Sequence, residues 1–472
     1  MGIRLSEHKT SLIVLEEAGQ QQPVNNGIIT VSQSSFNLFE SVVSKSFNMS
    51  TNCFHFQKKD NFFELKADYC IGLDWLGKTG RYVYVEPKIN SRTAETFNVS
   101  IDHEEKDDIS NDKVRNDKSV TFELDYLKML LEVTSVPESN LEVKNLLNID
   151  WNAKRIGIHQ EEDRLTPFLI VHFLQILKSI VRRGLKKAYY KVVENLPNRI
   201  KGKILIGQNI KKNILKNRVT STLCQYQVFG EDHIENRFLK EVLNFASSYV
   251  ANNKNLFGNN YLDLQYIISY CRPAFERVSS QADHRELRSA KHNPFYKHYK
   301  EALQVGSHIL KRFAYNITST SEQNISTPPF WIDMPRLFEM FVYSKIVQAN
   351  EKNGIHYQFS TYGNALDILV SIPGKQMIID AKYKLHYKNG HLHQDIRQVA
   401  GYARLRRVRD KLNVTEDSNI DCLIIYPDME RGIEHLSFDN INRFKSEIKA
   451  YHKVFKLGIK LPWIRSESND GL

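Results

Sequence analysis

Along the first hundred residues the apolar positions come in short runs, such as Ile28-Ile29-Thr30-Val31 and Phe62-Phe63-Glu64-Leu65, separated by turn-forming residues. Runs of this length with β-branched and aromatic members predict strands, so a β-rich module opens the chain. Residues 101–118 (IDHEEKDDISNDKVRNDK) are then almost wholly charged or polar. Such a stretch buries little surface and predicts a linker or exposed loop. From Val120 the spacing turns helical, and Thr166-Pro167 predicts a capped start for a helix through Phe168, Val171, Leu174 and Leu177. Further helices are expected around residues 235–250 and 295–313. The prolines of Ser326-Thr327-Pro328-Pro329 mark the next boundary. The expected domains are a β-rich module with its linker (1–118), a mainly helical basic region (119–326) and a C-terminal α/β region (327–472).

In the last region, Asp333 is placed to cap a helix with Pro335 in its first turn, which sets Glu339 among Leu337, Phe338 and Phe341. Strands follow over residues 356–359, 366–372 and 377–383, separated by polar turns. Side chains alternate faces along a strand, so Asp380 and Lys382 share a face, with Asp367 on the neighbouring strand. A helix over 395–404 then puts Gln398 and Tyr402 four apart, on one side.

Two carboxylates and an amine brought together suit phosphodiester hydrolysis. A hard cation such as Mg²⁺ takes oxygen ligands, here Asp367, Asp380 and the Ala381 carbonyl, with Glu339 reached through water. Lys382, partly desolvated, is expected to orient or deprotonate the attacking water, while Gln398 and Tyr402 hydrogen-bond the site or the DNA backbone. D-x-K alone is a weak signal; the ordered set of helix, strand pair, Asp367, Asp380-x-Lys382 and Gln398-x-x-x-Tyr402 is a strong one. It predicts a metal-dependent endodeoxyribonuclease with a PD-(D/E)xK, restriction-endonuclease-like α/β/α core. The plainer alternative is a surface hairpin with an Asp380–Lys382 salt bridge. It leaves a charge at the end of an apolar run, which is costly.

Composition adds a partner. A formal charge of +11 in 472 residues favours a polyanion. Residues 178–218 hold thirteen Lys and Arg against the single acid Glu194, with Tyr189 and Tyr190 among them. Arg182, Arg183, Lys186 and Lys187 are therefore candidates for double-stranded DNA, as are Arg404, Arg406 and Arg407. Five cysteines without CxxC spacing argue against zinc ribbons and disulfides, which fits a reducing cytoplasm. The start of the chain has no apolar signal core, and the most apolar stretch, residues 168–181, is too short to span a bilayer, so no membrane partner is expected.

Some patterns mislead. Residues 72–79 (GLDWLGKT) match the spacing of a phosphate-binding loop, but bulky Leu73, Trp75 and Leu76 and the strand-like continuation from Arg81 predict a hairpin turn. Ile379-Asp380 resembles an ATPase metal strand, yet Ala381 stands where a second acid is needed. His386, His391 and His393 flank Asn389-Gly390 in what reads as a solvated loop.

The chain resembles the McrC family, the nuclease subunits of McrBC-type modification-dependent restriction systems, which defend against foreign DNA. In the C-terminal region the resemblance runs through Asp333-Met334, Leu337-Phe338-Glu339, Asp380-Ala381-Lys382-Tyr383, Gln398 with Tyr402, and Leu423-Ile424-Ile425-Tyr426-Pro427. Upstream it runs through Tyr84-Val85-Glu86-Pro87-Lys88-Ile89, Gly184-Leu185 with Tyr189, Arg199 with Gly202, and Asn236-Arg237 with Lys240. Leu366 stands before Asp367 in place of a proline that supplies no ligand. The resemblance implies a partner, a McrB-like AAA+ GTPase ring that holds the GTP and is contacted by the N-terminal β-rich region, which stimulates its GTPase. The charged segment from Asp102 to Lys118 further predicts that this region can be removed there to leave a folded nuclease. Two rivals are a stand-alone repair or recombination nuclease, which would have no GTPase gene beside it, and a non-catalytic DNA-binding subunit, which would not nick plasmid.

Overall fold

In a computed structural model, the residues described are 2–15, 27–48, 51–89, 122–134, 136, 143–159, 163–280, 282, 296–317, 324–351, 353–361, 363–384, 393–415 and 418–465. The expected linker at 101–118, and His386 and His391, lie outside them. The chain forms two compact units, Met1–Leu165 with Gln323–Leu472, and Thr166–Glu322. This departs from three consecutive segments. One five-stranded sheet has the order Gly2–Ser6, Tyr82–Glu86, Cys70–Trp75, Phe330–Asp333, Leu147–Ile149, and so draws on all three. Strand pairing across the whole chain overrides the boundaries that local composition suggests.

Within that sheet, Cys70–Trp75 and Tyr82–Glu86 form an antiparallel hairpin with Gly72 opposite Val85. Residues 72–79 are therefore a hairpin and its turn, not a phosphate loop. Gly72 instead makes room for a neighbouring strand. Its φ is +153° and a Cβ there would lie 2.1 Å from the Phe330 carbonyl oxygen, so only glycine lets the Phe330–Asp333 strand approach. A second five-stranded sheet, built from Ile28–Val31, Thr10–Leu15, Phe62–Ala67, Asn52–Lys58 and Lys45–Ser46, packs its Ile13, Phe63 and Leu65 into a core shared with Val83, Val85 and Trp331.

The third large sheet carries the candidate chemistry. Its order is Ile355–Thr361, Asn364–Val370, Met377–Ala381, Asp421–Pro427, Val454–Ile459, Ser446–Glu447. The first three strands are antiparallel, the next two pairings parallel and the last antiparallel. Every residue of Met377–Ala381 is buried, as expected for a strand covered on both faces. The helix His393–Tyr402 covers one face, with Ile396 and Val399 against Ile378 and Ile424. The helix Met334–Ala349 packs on the same strand and on the helix Tyr126–Thr134.

The second unit holds the helices Leu165–Arg183, Ile234–Asn252, Tyr261–Cys271 and Lys297–Ile317. The first starts one residue before the expected cap. The Asp163 carboxylate accepts the Leu165 N–H at 3.1 Å, while the Thr166 hydroxyl accepts from Arg312 Nε at 2.6 Å. That helix is long and apolar enough by composition to cross a membrane, and 78% of its apolar window is buried in the fold, as in a core helix. The stretch expected to be mainly helical also contains a ten-residue antiparallel pair, Ala188–Pro197 with Ser221–Gly230, edged by Lys203–Ile204. The alternation of Lys191, Val193 and Asn195 with Tyr190, Val192 and Glu194 has the period of a strand, which the basic charge obscured.

Candidate carboxylate–lysine site

The site is assembled at one end of the Met377–Ala381 strand. Asp333 caps the Met334–Ala349 helix as expected: its Oδ1 accepts the Arg336 N–H and its Oδ2 accepts Asn48 Nδ2, both at 3.1 Å. This fixes the first turns, and Glu339 sits half-buried with its Oε2 accepting Gln358 Nε2 at 3.1 Å. Asp367 reaches across to the neighbouring strand, where its Oδ2 accepts the Ala381 N–H at 2.8 Å. Asp380 is 2% exposed, and its Oδ2 lies 3.1 Å from Lys382 Nζ, although no well-aligned hydrogen bond reaches that oxygen. Lys382 Nζ donates to Gln398 Oε1, and Gln398 Nε2 donates to the Tyr402 hydroxyl, each at 3.1 Å. Strand alternation and i, i+4 helix spacing thus bring Asp380, Lys382, Gln398 and Tyr402 together, as the sequence predicted.

Electrostatically the site holds more negative charge than it balances. Burial, with Asp380 adding, pushes Asp367 up to about 7. Burial also raises Asp380 despite Lys382 beside it, and raises Glu339, with Asp367 and Asp333 contributing. A buried carboxylate cluster of this kind favours a cation or a proton. Lys382 departs from expectation. Burial disfavours its charge, but Asp380 and Asp367 outweigh it and the amine is held as ammonium, above its ordinary range. Desolvation alone therefore does not make it a base here.

The donors fit a hard cation. Asp380 Oδ2 is a buried oxygen without an aligned donor, and Asp367 keeps Oδ1 beyond its bond to Ala381. Among the described residues no three His, Cys, Asp or Glu side chains gather closely enough to hold an ion by themselves. A cation here would take Asp367, Asp380 and the Ala381 carbonyl with water, leaving Glu339 to act through water.

Sequence reading missed several neighbours. Lys384 donates to Asp395 at 3.1 Å, and its place two residues beyond Lys382 was a strand-period signal. Tyr383 donates from its hydroxyl to Glu7 at 3.3 Å and packs on Phe338, tying the start of the chain to the segment that follows Asp380 and Lys382. Gln358 had no local signal at all.

The basic candidates sort differently. Arg182 and Arg183 are exposed in the last turn of their helix, and Lys187 is exposed with Glu231 at 3.7 Å. Lys186 is withdrawn from that set: it is ion-paired with buried Glu235, lies 5.5 Å from the Tyr296 ring centre, and its side chain is 13% exposed. Reversing it to Glu should destabilise the fold by roughly 3–5 kcal/mol, as for a broken buried pair, and should show as a sharply lower melting temperature. Arg404, Arg406 and Arg407 are exposed, whereas Arg409 donates to the Ala403 and Ser418 carbonyls at 3.2 and 2.9 Å and pins the loop. His393 pairs its Nδ1 with the Tyr451 hydroxyl at 2.7 Å.

The model of the McrBC 5-methylcytosine restriction system component family matches residues 143–414. The chain belongs to that family. In this McrBC component the matched segment contains Glu339, Asp367, Asp380, Lys382, Gln398 and Tyr402 as well as the whole second unit. Among solved structures, it is similar to a half-complex of Thermococcus gammatolerans McrB AAA+ hexamers with bound McrC. The identity is 15%, over 99% of this chain and 96% of that one, with a TM-score of 0.38. It is also similar to the Thermococcus gammatolerans McrBC complex, at 14% identity over 77% of this chain and 92% of that one, with a TM-score of 0.28. No curated protein matches it.

Proposed function

We propose that this McrBC component is the DNA-cutting subunit, a PD-(D/E)xK endonuclease that hydrolyses phosphodiester bonds with Mg²⁺ and works with an AAA+ GTPase ring. The observation that carries the reading is the convergence of Asp367, Asp380 and Lys382, with one oxygen of Asp380 lacking an aligned donor and Gln398 holding the lysine. The cation, when bound, offsets charge on the scissile phosphate and acidifies a bound water. Asp367 and Asp380 bind it from two strands. Lys382 supplies positive charge and a proton donor beside the phosphate, and Gln398 and Tyr402 hold its amine in place. Hydrolysis puts the water oxygen on phosphorus, breaks one P–O ester bond and releases a proton, for which the carboxylates are the nearest acceptors, since Lys382 is already protonated. The ring partner and the GTP it holds rest on the family, and a cytoplasmic setting rests on the cysteine pattern.

The deciding experiment mixes the purified chain, its cognate GTPase and modified plasmid, with Mg²⁺ and with or without GTP. Cleavage should need all of them, and a lone chain that cuts efficiently would point instead to a stand-alone nuclease. Lys382→Ala should slow cleavage roughly 10²- to 10⁴-fold, whereas Gln398→Ala should cost less because it positions the amine. Single-turnover rates with the ring in excess would rank them, and equal rates for both variants would remove Lys382 from the chemistry. Reversing Arg182, Arg183 and Lys187 together to Glu should weaken DNA binding alike at all sequences and flatten its salt dependence. An unchanged salt slope in a binding titration would assign that surface elsewhere.

A further inference from the structure

A cavity of about 320 Å³ opens beside the candidate site, lined by Tyr426, Asp428, Arg431, Phe444, Ser446 and Lys456 among others. Its position follows from strand register. Asp380 stands opposite Ile424, which stands opposite Lys456, and Ala381 stands opposite Ile425. One residue further along, Lys382 is level with Tyr426, and its N–H bonds the Ile425 carbonyl at 2.8 Å. Partners in a parallel ladder point to the same face, so Asp380, Lys382, Tyr426 and Lys456 share one face of the sheet. Lys456 is two strands from Asp380, about 10 Å. Both site and cavity lie at the carboxyl ends of parallel strands, where open α/β sheets bind ligands.

The lining has its own chemistry. Arg431 and Lys456 bring two cations. Asp428 is committed to the backbone, its Oδ1 accepting the N–H groups of Glu430 and Arg431 at 3.0 and 2.9 Å, a turn that sets Arg431 at the rim. Phe444 is 50% exposed, an aromatic surface beside the cations, and Tyr426, next to the Ile425 whose carbonyl accepts the Lys382 N–H, forms part of the wall. Paired cations with an exposed ring suit a phosphate together with the sugar and base attached to it. Each nucleotide advances about 3.4 Å along the duplex axis, so the spacing corresponds to a few nucleotides of one strand.

We infer that this cavity is a nucleotide subsite, in which Arg431 and Lys456 hold a backbone phosphate of the strand being cut and Phe444 covers the adjoining nucleoside. The inference rests on the nuclease reading, and its test is separable from it. The full chain is photo-crosslinked in EDTA to duplexes carrying 5-iododeoxyuridine at successive positions, and the crosslinked peptides are mapped. Crosslinks should fall on Tyr426 or Phe444, and their yield should drop at least tenfold in Arg431→Gln/Lys456→Gln with its melting temperature unchanged. Should that variant melt early, Phe444→Ala, at a half-exposed position, takes its place with the same expected loss. Crosslinks confined to other segments, crosslinks in the cavity that ignore the substitutions, or none at all would overturn the subsite. Cleavage with the ring, GTP and Mg²⁺ is scored in parallel. Cutting without cavity crosslinks sinks the subsite alone, and cavity crosslinks without cutting sink the nuclease reading alone.

Discussion

Asp380→Ala is expected to abolish DNA cleavage by the chain and its ring partner while leaving the fold intact. The carboxylate is 2% exposed and ion-paired to Lys382, so its removal takes away a proposed cation ligand and the lysine's counter-charge together. Loss of the cation removes most of the charge stabilisation that phosphodiester hydrolysis needs. Folding should tolerate the change, because burial raises the Asp380 carboxyl above its ordinary range and charge there is a cost in the absence of a cation. Two measurements on one preparation check this: plasmid cleavage, and thermal unfolding with and without Mg²⁺. The parent should melt higher with Mg²⁺ and the variant should not. Full cleavage by a well-folded Asp380→Ala chain would remove the active-site assignment.

Removing residues 1–118 should give a chain that does not fold cooperatively. The charged stretch 101–118 suggests a separable N-terminal module, but the structure puts Cys70–Trp75 edge to edge with Phe330–Asp333, and Trp331 lies in the same core as Phe54, Phe63 and Val85. Without that cover, the unpaired edge of Phe330–Asp333 and its apolar face meet water, and Asp333, which caps the helix bearing Glu339, loses Asn48. Circular dichroism melts and dye binding on the truncated chain would show a broad transition and exposed apolar surface. A sharp melt with parental Mg²⁺ binding would mean that residues 119–472 fold alone. The point substitution Trp331→Ala tests the same core more gently, at roughly 3–5 kcal/mol for a large-to-small change. A variant that kept the parental melting temperature would argue against that packing.

Much of the candidate site was legible because it rests on short-range geometry. Asp380 and Lys382 are two apart on a strand, Gln398 and Tyr402 four apart on a helix, and Asp333 lies immediately before its helix; each relation is set by backbone periodicity, and the structure shows each one. The strands around Asp367 and the hairpin at residues 72–79 were readable for the same reason. Tertiary structure alone decided the rest. Lys186 reads as one more member of a basic run, and only its burial against Glu235 makes it structural. Glu7 meets Tyr383 across 376 positions, and Phe330–Asp333 takes its place between strands from the first and second expected segments. The charge state of Lys382 depends on how deeply Asp367 and Asp380 are buried beside it, which no spacing conveys. Periodicity along the chain decides which side chains can share a face, but burial and strand pairing arise from contacts between distant segments, and the dielectric around a charge exists only once those contacts are made.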